Sequence, residues 1–173
     1  MRIRPLDPVS DLDRVVGFYR DAPDYWQMAE GRQPGLEYAQ RFFTDGPPGC
    51  DVSRSHRLGL FLDDRLSGLA ELSFGFPEPE DAYLGFMMLG DWARGSGNGR
   101  VFLTHLEELA AKAGASWLYL AVLEANLRGR AFWLREGFQS TGLRGEMQMG
   151  DKFQALERLS KDLSRTTCDN REQ

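Results

Sequence analysis

The sequence predicts one α/β domain with a mixed sheet, and three observations support this. The length of 173 residues suits a single domain with its own core. Strand-like and helix-like patterns alternate along the chain. A glycine-rich loop at 94–100 separates an apolar strand from a strongly amphipathic helix. We assign the domain to residues 1–160 and expect the polar segment 161–173 to be a disordered tail.

The first part of the chain predicts a strand, two helices and a β-hairpin. Ser10 has the residue type of a helix N-cap, and Gly46-Pro47-Pro48-Gly49 ends the second helix. Asp63-Asp64 forms the turn of the hairpin. The predicted elements are a strand over 2–6, a helix from Ser10 to Arg20, an irregular aromatic segment over 22–35, a helix over 36–43, and strands over 58–62 and 66–76.

The second part begins with a continuous apolar run, Ala82 to Leu89, which predicts a central strand buried on both faces. The clearest helix follows, from Gly97 or Asn98 to Ala113, and Gly114 ends it. Its predicted buried face is Val101, Phe102, Leu106, Leu109, Ala110 and Ala113, with Glu107, Glu108 and Lys112 outside. The remaining elements are a strand over 117–123, a helix over 126–136 closed by Gly137, a loop or edge strand over 139–150, and a strand over 153–159.

Composition excludes several classes of protein. The formal net charge of −5 argues against broad binding to nucleic acid or anionic membranes, because both need clustered Lys and Arg. No apolar run approaches the length of a membrane span, and the first residues lack a signal peptide. Cys50 and Cys168 show no metal or disulfide spacing. We therefore expect a cytoplasmic protein with reduced cysteines and no metal.

The glycine-rich loop Arg94-Gly95-Ser96-Gly97-Asn98-Gly99-Arg100 carries the strongest chemical signal. It opens a helix, whose N-terminus offers free N–H groups and a partial positive charge to an anion. Glycines allow close backbone approach, and the two arginines could add charge-assisted hydrogen bonds. A pyrophosphate fits this loop, and a turn without a ligand is the alternative. A P-loop would need Lys and Ser or Thr after the last glycine, whereas Arg100-Val101 follows Gly99.

Two further segments complete a family resemblance. Arg94-x-x-Gly97-x-Gly99, together with the stretches 118–126 and 130–138, resembles the coenzyme A signature of the GNAT acyltransferase superfamily. The resemblance covers residues 1–160 in element order and is strongest over 82–138. It implies a GNAT-like, mostly antiparallel sheet flanked by helices and splayed at the coenzyme A site. It also implies acetyl transfer from acetyl-CoA to a primary amine, by direct attack in a ternary complex.

The same resemblance implies where coenzyme A binds. The pantetheine arm would pair with the backbone of Met87 and Leu89, and the amide of Met88 or Leu89 would stabilise the oxyanion. Asn126 would hydrogen-bond the arm or, alternatively, serve only as an N-cap. The other implied contacts are Arg94, Gly95, Ser96, Gly97, Asn98, Gly99 and Arg100 at the pyrophosphate, and Phe132 and Trp133 at the thiol end.

The sequence offers several candidate catalytic groups. Trp133 stands where the family often has Tyr, and indole cannot protonate the leaving thiolate. Tyr83 and Tyr119 are the candidate replacements; water, or departure of the thiolate unaided, are the alternatives. Glu71 is the candidate base, because apolar neighbours would raise the pKa of its carboxyl group; a solvent-facing Glu71 is the alternative.

The acceptor site is predicted from the aromatic segment after the first helix. Tyr25, Trp26 and Glu30 would form an aromatic and acidic wall suited to a cation, or the aromatic residues would simply fill the core. Asp24 and Asp81 are further acidic candidates. The acceptor would be a small-molecule or peptide amine, and pairing of the last strands would allow a homodimer.

Two other functions stay open at this stage. The chain could bind coenzyme A as a non-catalytic sensor or partner domain, which the missing Tyr favours. It could instead be a different nucleotide-binding protein that uses the glycine loop for another phosphate. Tighter binding of ATP or NAD than of acetyl-CoA would favour the second alternative.

Overall fold

A computed structural model describes residues 1–164 and shows a seven-stranded sheet with helices on both faces. The strand order is β1-β2-β3-β4-β5-β7-β6, and only β4 and β5 are parallel neighbours. The mixed, mostly antiparallel sheet predicted above is confirmed. The strands are β1 (Arg2–Pro5), β2 (His56–Leu62), β3 (Arg65–Phe74), β4 (Ala82–Leu89), β5 (Trp117–Leu123), β6 (Gln139–Met149) and β7 (Lys152–Asp162). The helices are α1 (Leu12–Asp21), α2 (Asp24–Ala29), α3 (Leu36–Thr44), α4 (Asn98–Lys112) and α5 (Leu127–Arg135).

Two local predictions need correction. The segment expected to be irregular contains the six-residue helix α2. The N-cap of α1 is Asp11 rather than Ser10, whose backbone N–H and hydroxyl both donate to the carboxylate of Asp7. For residues 139–150 the edge-strand alternative is confirmed, because β6 pairs with β7 at the edge of the sheet.

The last strand is longer than the sequence predicts. β7 runs to Asp162, and Leu163 is only 1% exposed because it packs into the core. The folded part of the chain therefore extends past residue 160. Of the tail predicted over 161–173, residues 161–164 belong to the folded part, and residues 165–173, with Cys168, lie outside the described residues. Cys50 is a free thiol.

The sheet separates two hydrophobic cores. One lies under α4 and α5 and includes Phe102, Leu106 and Trp133. The other lies under α1, α2 and α3 and includes Phe18 and Trp26. No helix within residues 1–164 is long and apolar enough to cross a membrane.

The buried face of α4 differs from the predicted one. Val101 is 44% exposed, whereas Glu107 is buried. The carboxylate of Glu107 accepts a hydrogen bond from Lys161 Nζ on β7 at 2.6 Å, which compensates its burial. The partner lies 54 residues away, so the helical pattern alone could not identify this face.

β4 contains the irregularity that opens the sheet. In its pairing with β3, Glu71 lies opposite Phe86 and Leu72 opposite Leu84, so Gly85 is an extra, bulged residue. β4 and β5 are paired only at Ala82–Leu118 and Tyr83–Tyr119. The two strands therefore separate beyond Tyr83, which confirms the predicted splay.

Candidate active site

A cavity of about 780 Å³ occupies the region where β4 and β5 separate. Its walls come from α2, the end of β4, the glycine loop and α5. Every residue implied above as a coenzyme contact lines it except Ser96 and Asn98. Asn98 instead holds the loop, because its side-chain amide donates to the carbonyl of Ala93 at 3.0 Å.

The glycine loop leaves the N-terminus of α4 open to the cavity. Gly95 and Gly97 both have φ near +81°, a conformation that residues with a Cβ rarely adopt. Gly97 is the N-cap, and no side chain caps the helix. A Cβ at Gly99 would lie 3.2 Å from Phe132 Cε2 and 3.4 Å from Leu89 Cδ1. The loop therefore presents free N–H groups to the cavity, and a side chain at Gly99 would crowd Phe132 and Leu89 on the cavity wall.

Arg94 is held by the protein itself. Its Nε donates to the carbonyl of Leu89 at 2.9 Å, and its two Nη atoms bind the carboxylate of Asp24. This contact lowers the pKa of Asp24. Arg94 therefore connects the end of β4 to the start of α2, a role that the loop motif did not predict.

Other basic residues line the part of the cavity formed by α4 and α5. Arg100, Arg128 and Arg135 all lie on its wall. Glu136 is close to two of them, at 3.6 Å from Arg100 and 3.4 Å from Arg135. Positive charge exceeds negative charge here, as a polyanionic ligand requires. Of these residues, only Arg100 was predicted, because α5 carries no phosphate motif.

The start of α5 gives Asn126 a structural role. Its side-chain oxygen accepts the N–H of Gly129 at 2.9 Å, so it is the N-cap of this helix and also lines the cavity. Farther along α5, Trp133 is buried with its ring 4.9 Å from that of Phe132. Both aromatic residues line the cavity and also belong to the core under α4 and α5.

Glu71 is buried away from the cavity wall. Its side chain is 5% exposed and lies on the α3 side of the sheet, where Arg57 Nη1 donates to it at 2.9 Å. The hydroxyl of Ser73 and the N–H of Gly85 also donate to this carboxylate. Burial raises the pKa of Glu71, as expected, although these hydrogen bonds oppose the shift. The solvent-facing alternative is therefore wrong, but all of the described contacts are structural.

The two candidate acids Tyr83 and Tyr119 lie at the closed end of the β4–β5 pair. They face each other in the register, where the strands are still joined. Tyr83 packs against Phe76 with ring centroids 5.0 Å apart, and Arg158 hydrogen-bonds its hydroxyl. Neither tyrosine lines the cavity.

The predicted acceptor residues separate into two groups. Tyr25 lines the cavity, and so do its neighbours Asp24 and Met28. Trp26 is 7% exposed and packs in the core, with its ring 6.0 Å from that of Phe86.

The acidic candidates lie elsewhere. Glu30 is buried and accepts a hydrogen bond from the hydroxyl of Tyr38. Asp81 accepts one from the N–H of Glu78 in a turn. The acidic wall predicted for a cation is therefore not part of the cavity, apart from Asp24 in its ion pair with Arg94.

The end of α2 is held by the start of β7. Lys152 Nζ donates to the carbonyls of Gln27 and Met28 at 2.8 and 3.1 Å. Gln154 Nε2 donates to those of Met28 and Ala29 at 2.9 and 2.8 Å. These bonds satisfy carbonyl groups that a helix end leaves free. They join residues more than 120 positions apart, so no local pattern signals them.

The sequence profile of the Acetyltransferase (GNAT) family matches residues 15–138. This chain belongs to that family. It is therefore an acyltransferase, and the resemblance inferred from the glycine loop is confirmed. Comparison with curated protein sequences finds no match.

Solved structures show the same fold. An acetyltransferase from Thermus thermophilus is 24% identical, with a TM-score of 0.71, over 93% of this chain and 96% of that chain. The ribosomal-protein-S18-alanine N-acetyltransferase from Escherichia coli is 16% identical, with a TM-score of 0.69, over 94% and 93%. A ribosomal-protein-alanine N-acetyltransferase from Brucella melitensis is 19% identical, with a TM-score of 0.71, over 94% and 99%.

Proposed function

We propose that this GNAT protein transfers an acetyl group from acetyl-CoA to a primary amine, with both substrates bound at once. One observation carries the proposal: a single cavity joins the open N-terminus of α4 to the gap between β4 and β5. An anionic end and an extended acyl arm of one molecule can occupy these two parts together.

The pyrophosphate of acetyl-CoA would bind at the loop 95–100. The free amides at the start of the 15-residue helix α4 supply hydrogen bonds and the positive end of the helix dipole. Arg100, Arg128 and Arg135 supply positive charge on the cavity wall. Arg94 contributes indirectly, because its guanidinium group is already bound to Asp24 and Leu89.

The acyl arm would lie along β4. Beyond Tyr83 this strand has no β5 partner, so its backbone groups on that side are available to a ligand. Met87 and Leu89 would pair with the pantetheine amides, and Phe132 and Trp133 would pack beside the thioester. The amide of Met88 or Leu89 would stabilise negative charge on the carbonyl oxygen during attack.

The acceptor amine would enter on the α2 side, past Tyr25 and Met28. Asp24 is neutralised by Arg94, and Glu30 lies outside the cavity wall. We therefore propose an acceptor whose amine is attached to an apolar body, rather than a polyamine. Water is the proposed route for removing the proton of the amine, because Glu71 lies outside the cavity.

The predicted homodimer stays a proposal. β6 forms one free edge of the sheet and exposes Leu143 and Met147. Pairing of two β6 strands would form such a dimer, and sedimentation would detect it.

Thermal unfolding with acetyl-CoA, coenzyme A, ATP and NAD in parallel tests the coenzyme site. A ligand at 100 times its Kd stabilises a fold by about 2.7 kcal/mol, which should raise Tm by about 5–10 °C here. Gly97→Glu should abolish the shift with acetyl-CoA. Gly49→Glu is the matched control, because Gly49 has a similar φ of +78° and open space around it but lies in a loop outside the cavity.

An amine screen that follows release of free thiol completes the test. Turnover with apolar amines and little with polyamines supports the proposal. Binding of acetyl-CoA without turnover on any amine would favour the non-catalytic alternative. A shift with ATP or NAD and none with acetyl-CoA would overturn the proposal.

A further inference from the structure

In the proposed acetyl transfer, protonation of the leaving thiolate by the protein requires an acid that the end of α5 does not supply. Trp133 has only an indole N–H, which is not an acid near neutral pH. Tyr83 and Tyr119 lie at the closed end of the β4–β5 pair, outside the cavity. Among the described residues that line the cavity, Tyr25 carries the only hydroxyl group.

The hydroxyl of Tyr25 is available for this task. Within residues 1–164 it has no hydrogen-bond partner, and the side chain is half-buried on the cavity wall. The one buried polar side-chain atom without a partner in this part of the chain is Trp26 Nε1, so the Tyr25 oxygen is not sealed in the core. Burial, with a smaller effect of the nearby Glu30 charge, raises the pKa of Tyr25 to about 12. The phenol is therefore neutral at physiological pH and carries its proton.

Helix α2, which carries Tyr25, is held in place at both ends. At its start, Asp24 is bound by Arg94, which also donates to the carbonyl of Leu89 on β4. At its end, Gln154 donates to the carbonyls of Met28 and Ala29. An aromatic ring fixed by its neighbours loses little further freedom when it engages a reacting group.

The Tyr25 ring also lies beside the part of β4 where the thioester would sit. Its centroid is 6.1 Å from that of Phe86 in an edge-to-face contact, and Met87 follows directly on the cavity wall. Trp133 lines the same cavity from the opposite element, α5. Tyr25 on α2 thus lines the same cavity as Trp133 on α5, which offers no acid.

We propose that Tyr25 is the catalytic acid that protonates the leaving thiolate; the inference rests on the proposed acetyl transfer. As the amine nitrogen bonds to the acyl carbon, the carbon–sulfur bond breaks and its electron pair stays on sulfur. The phenolic proton moves to sulfur and yields the free thiol. The proton lost by the acylated nitrogen returns to the phenolate directly or through water, so Tyr25 is regenerated.

Steady-state kinetics of Tyr25→Phe against the matched variant Tyr83→Phe test this role. Both changes remove one phenolic oxygen, but only the first lies on the cavity wall. We expect kcat to fall about 100-fold in Tyr25→Phe, the usual scale for a lost general acid, with Kd for acetyl-CoA unchanged. Tyr83→Phe should retain the wild-type kcat. Thermal unfolding of each variant checks that it is folded.

A third protein, with 3,5-difluorotyrosine at position 25, distinguishes an acid role of the phenol from a role of the ring in packing. Fluorine lowers the pKa of the phenol while the ring keeps its packing, so kcat should change where a merely structural role would leave it unaltered. Equal kcat in wild type, Tyr25→Phe and the fluorinated protein would overturn the assignment while leaving acetyl transfer intact. Absence of transfer by the wild type would instead overturn the proposed function and, with it, this inference.

Discussion

Replacing Glu71 by glutamine tests what the buried carboxylate at the β4 bulge contributes. The side chain is 5% exposed, and Arg57 Nη1 donates to it at 2.9 Å. It also accepts the hydroxyl of Ser73 and the N–H of the bulged Gly85. Arg57 in turn donates to the carbonyl of Phe42 at 2.6 Å, so this cluster joins the end of α3 to the sheet.

The size of the effect follows from these contacts. Removing one partner of a buried ion pair costs about 3–5 kcal/mol, because the other charge stays buried. Glutamine keeps the shape of the side chain and still has an oxygen for the N–H of Gly85, so we expect the lower figure, about 3 kcal/mol. In a chain of this size each kcal/mol shifts Tm by about 2–4 °C, so Tm should fall by about 6–12 °C.

Thermal and urea unfolding of Glu71→Gln, with turnover expressed per folded protein, provide the measurement. Glu108→Gln is the control, because Glu108 is exposed on α4 and has no ion pair within the described part of the chain. We expect Glu71→Gln to lose stability and to retain most turnover below its Tm. Loss of turnover with an unchanged Tm would refute this reasoning and restore Glu71 as the catalytic base.

Three further predictions concern single contacts. Arg4 lowers the pKa of Asp11 from 3.8 to about 2, so this ion pair stabilises the fold above pH 3.8, and the effect is lost as pH falls toward 2. Asp11→Asn should therefore reduce the fall in the free energy of unfolding over this pH range by up to about 2 kcal/mol. An unchanged pH profile would contradict this. Trp26→Phe removes the buried N–H without a partner, so it should alter stability by no more than about 1 kcal/mol in urea unfolding, despite the lost ring area. Gln154→Ala removes the side-chain donor of the buried Ala29 carbonyl and one of the two donors of the Met28 carbonyl, which keeps Lys152. It should cost about 1–3 kcal/mol while raising the acceptor KM; a change in acetyl-CoA affinity alone would argue against it.

The segment from β4 to α5 was predictable because its signals are local. A continuous apolar run marks β4, and the predicted strand over 117–123 matches β5 in full. Glycines mark the ends of α4 and α5, and Gly114 and Gly137 both adopt positive φ. The glycine loop lies in this same segment. Together with the stretches 118–126 and 130–138 it carries the family resemblance, which implied most of the residues on the cavity wall.

Helix α2 was not predictable, for a physical reason. Six residues are too few to form a stable helix from propensity alone. Its end is completed by Lys152 and Gln154, which lie on β7 and reach it only once the chain has folded. The same reasoning applies to the predicted acceptor residues. Tyr25 and Trp26 are neighbours in the sequence, but their side chains leave α2 in different directions, so Tyr25 lines the cavity and Trp26 packs in the core.

The bulge at Gly85 changes which side chains of β4 face each side of the sheet. Ala82 and Leu84 pack into the core under α4, and beyond Gly85 the residues that contact this core are Met87 and Leu89. The alternation of side chains therefore shifts by one position at the bulge. A continuous apolar run conceals this shift, because both faces are apolar. The strand beyond Gly85 is also the part that has separated from β5.

Arg94 illustrates why a motif specifies a residue type but not its role. In isolation, an arginine at the start of a glycine loop is a phosphate ligand. Here Asp24, 70 residues earlier, binds both Nη atoms of its guanidinium group, and the carbonyl of Leu89 accepts its Nε–H. In the proposed acetyl-CoA complex, the anion affinity of the loop would then come mainly from the amides of α4 and from Arg128 and Arg135 on α5. Asp24 directly precedes Tyr25, so the same contact fixes the start of the helix that carries the phenol. In the proposed complex, the coenzyme end and the acceptor end of the cavity would therefore share this connection, and a substitution at Arg94 should change the kinetics of both substrates.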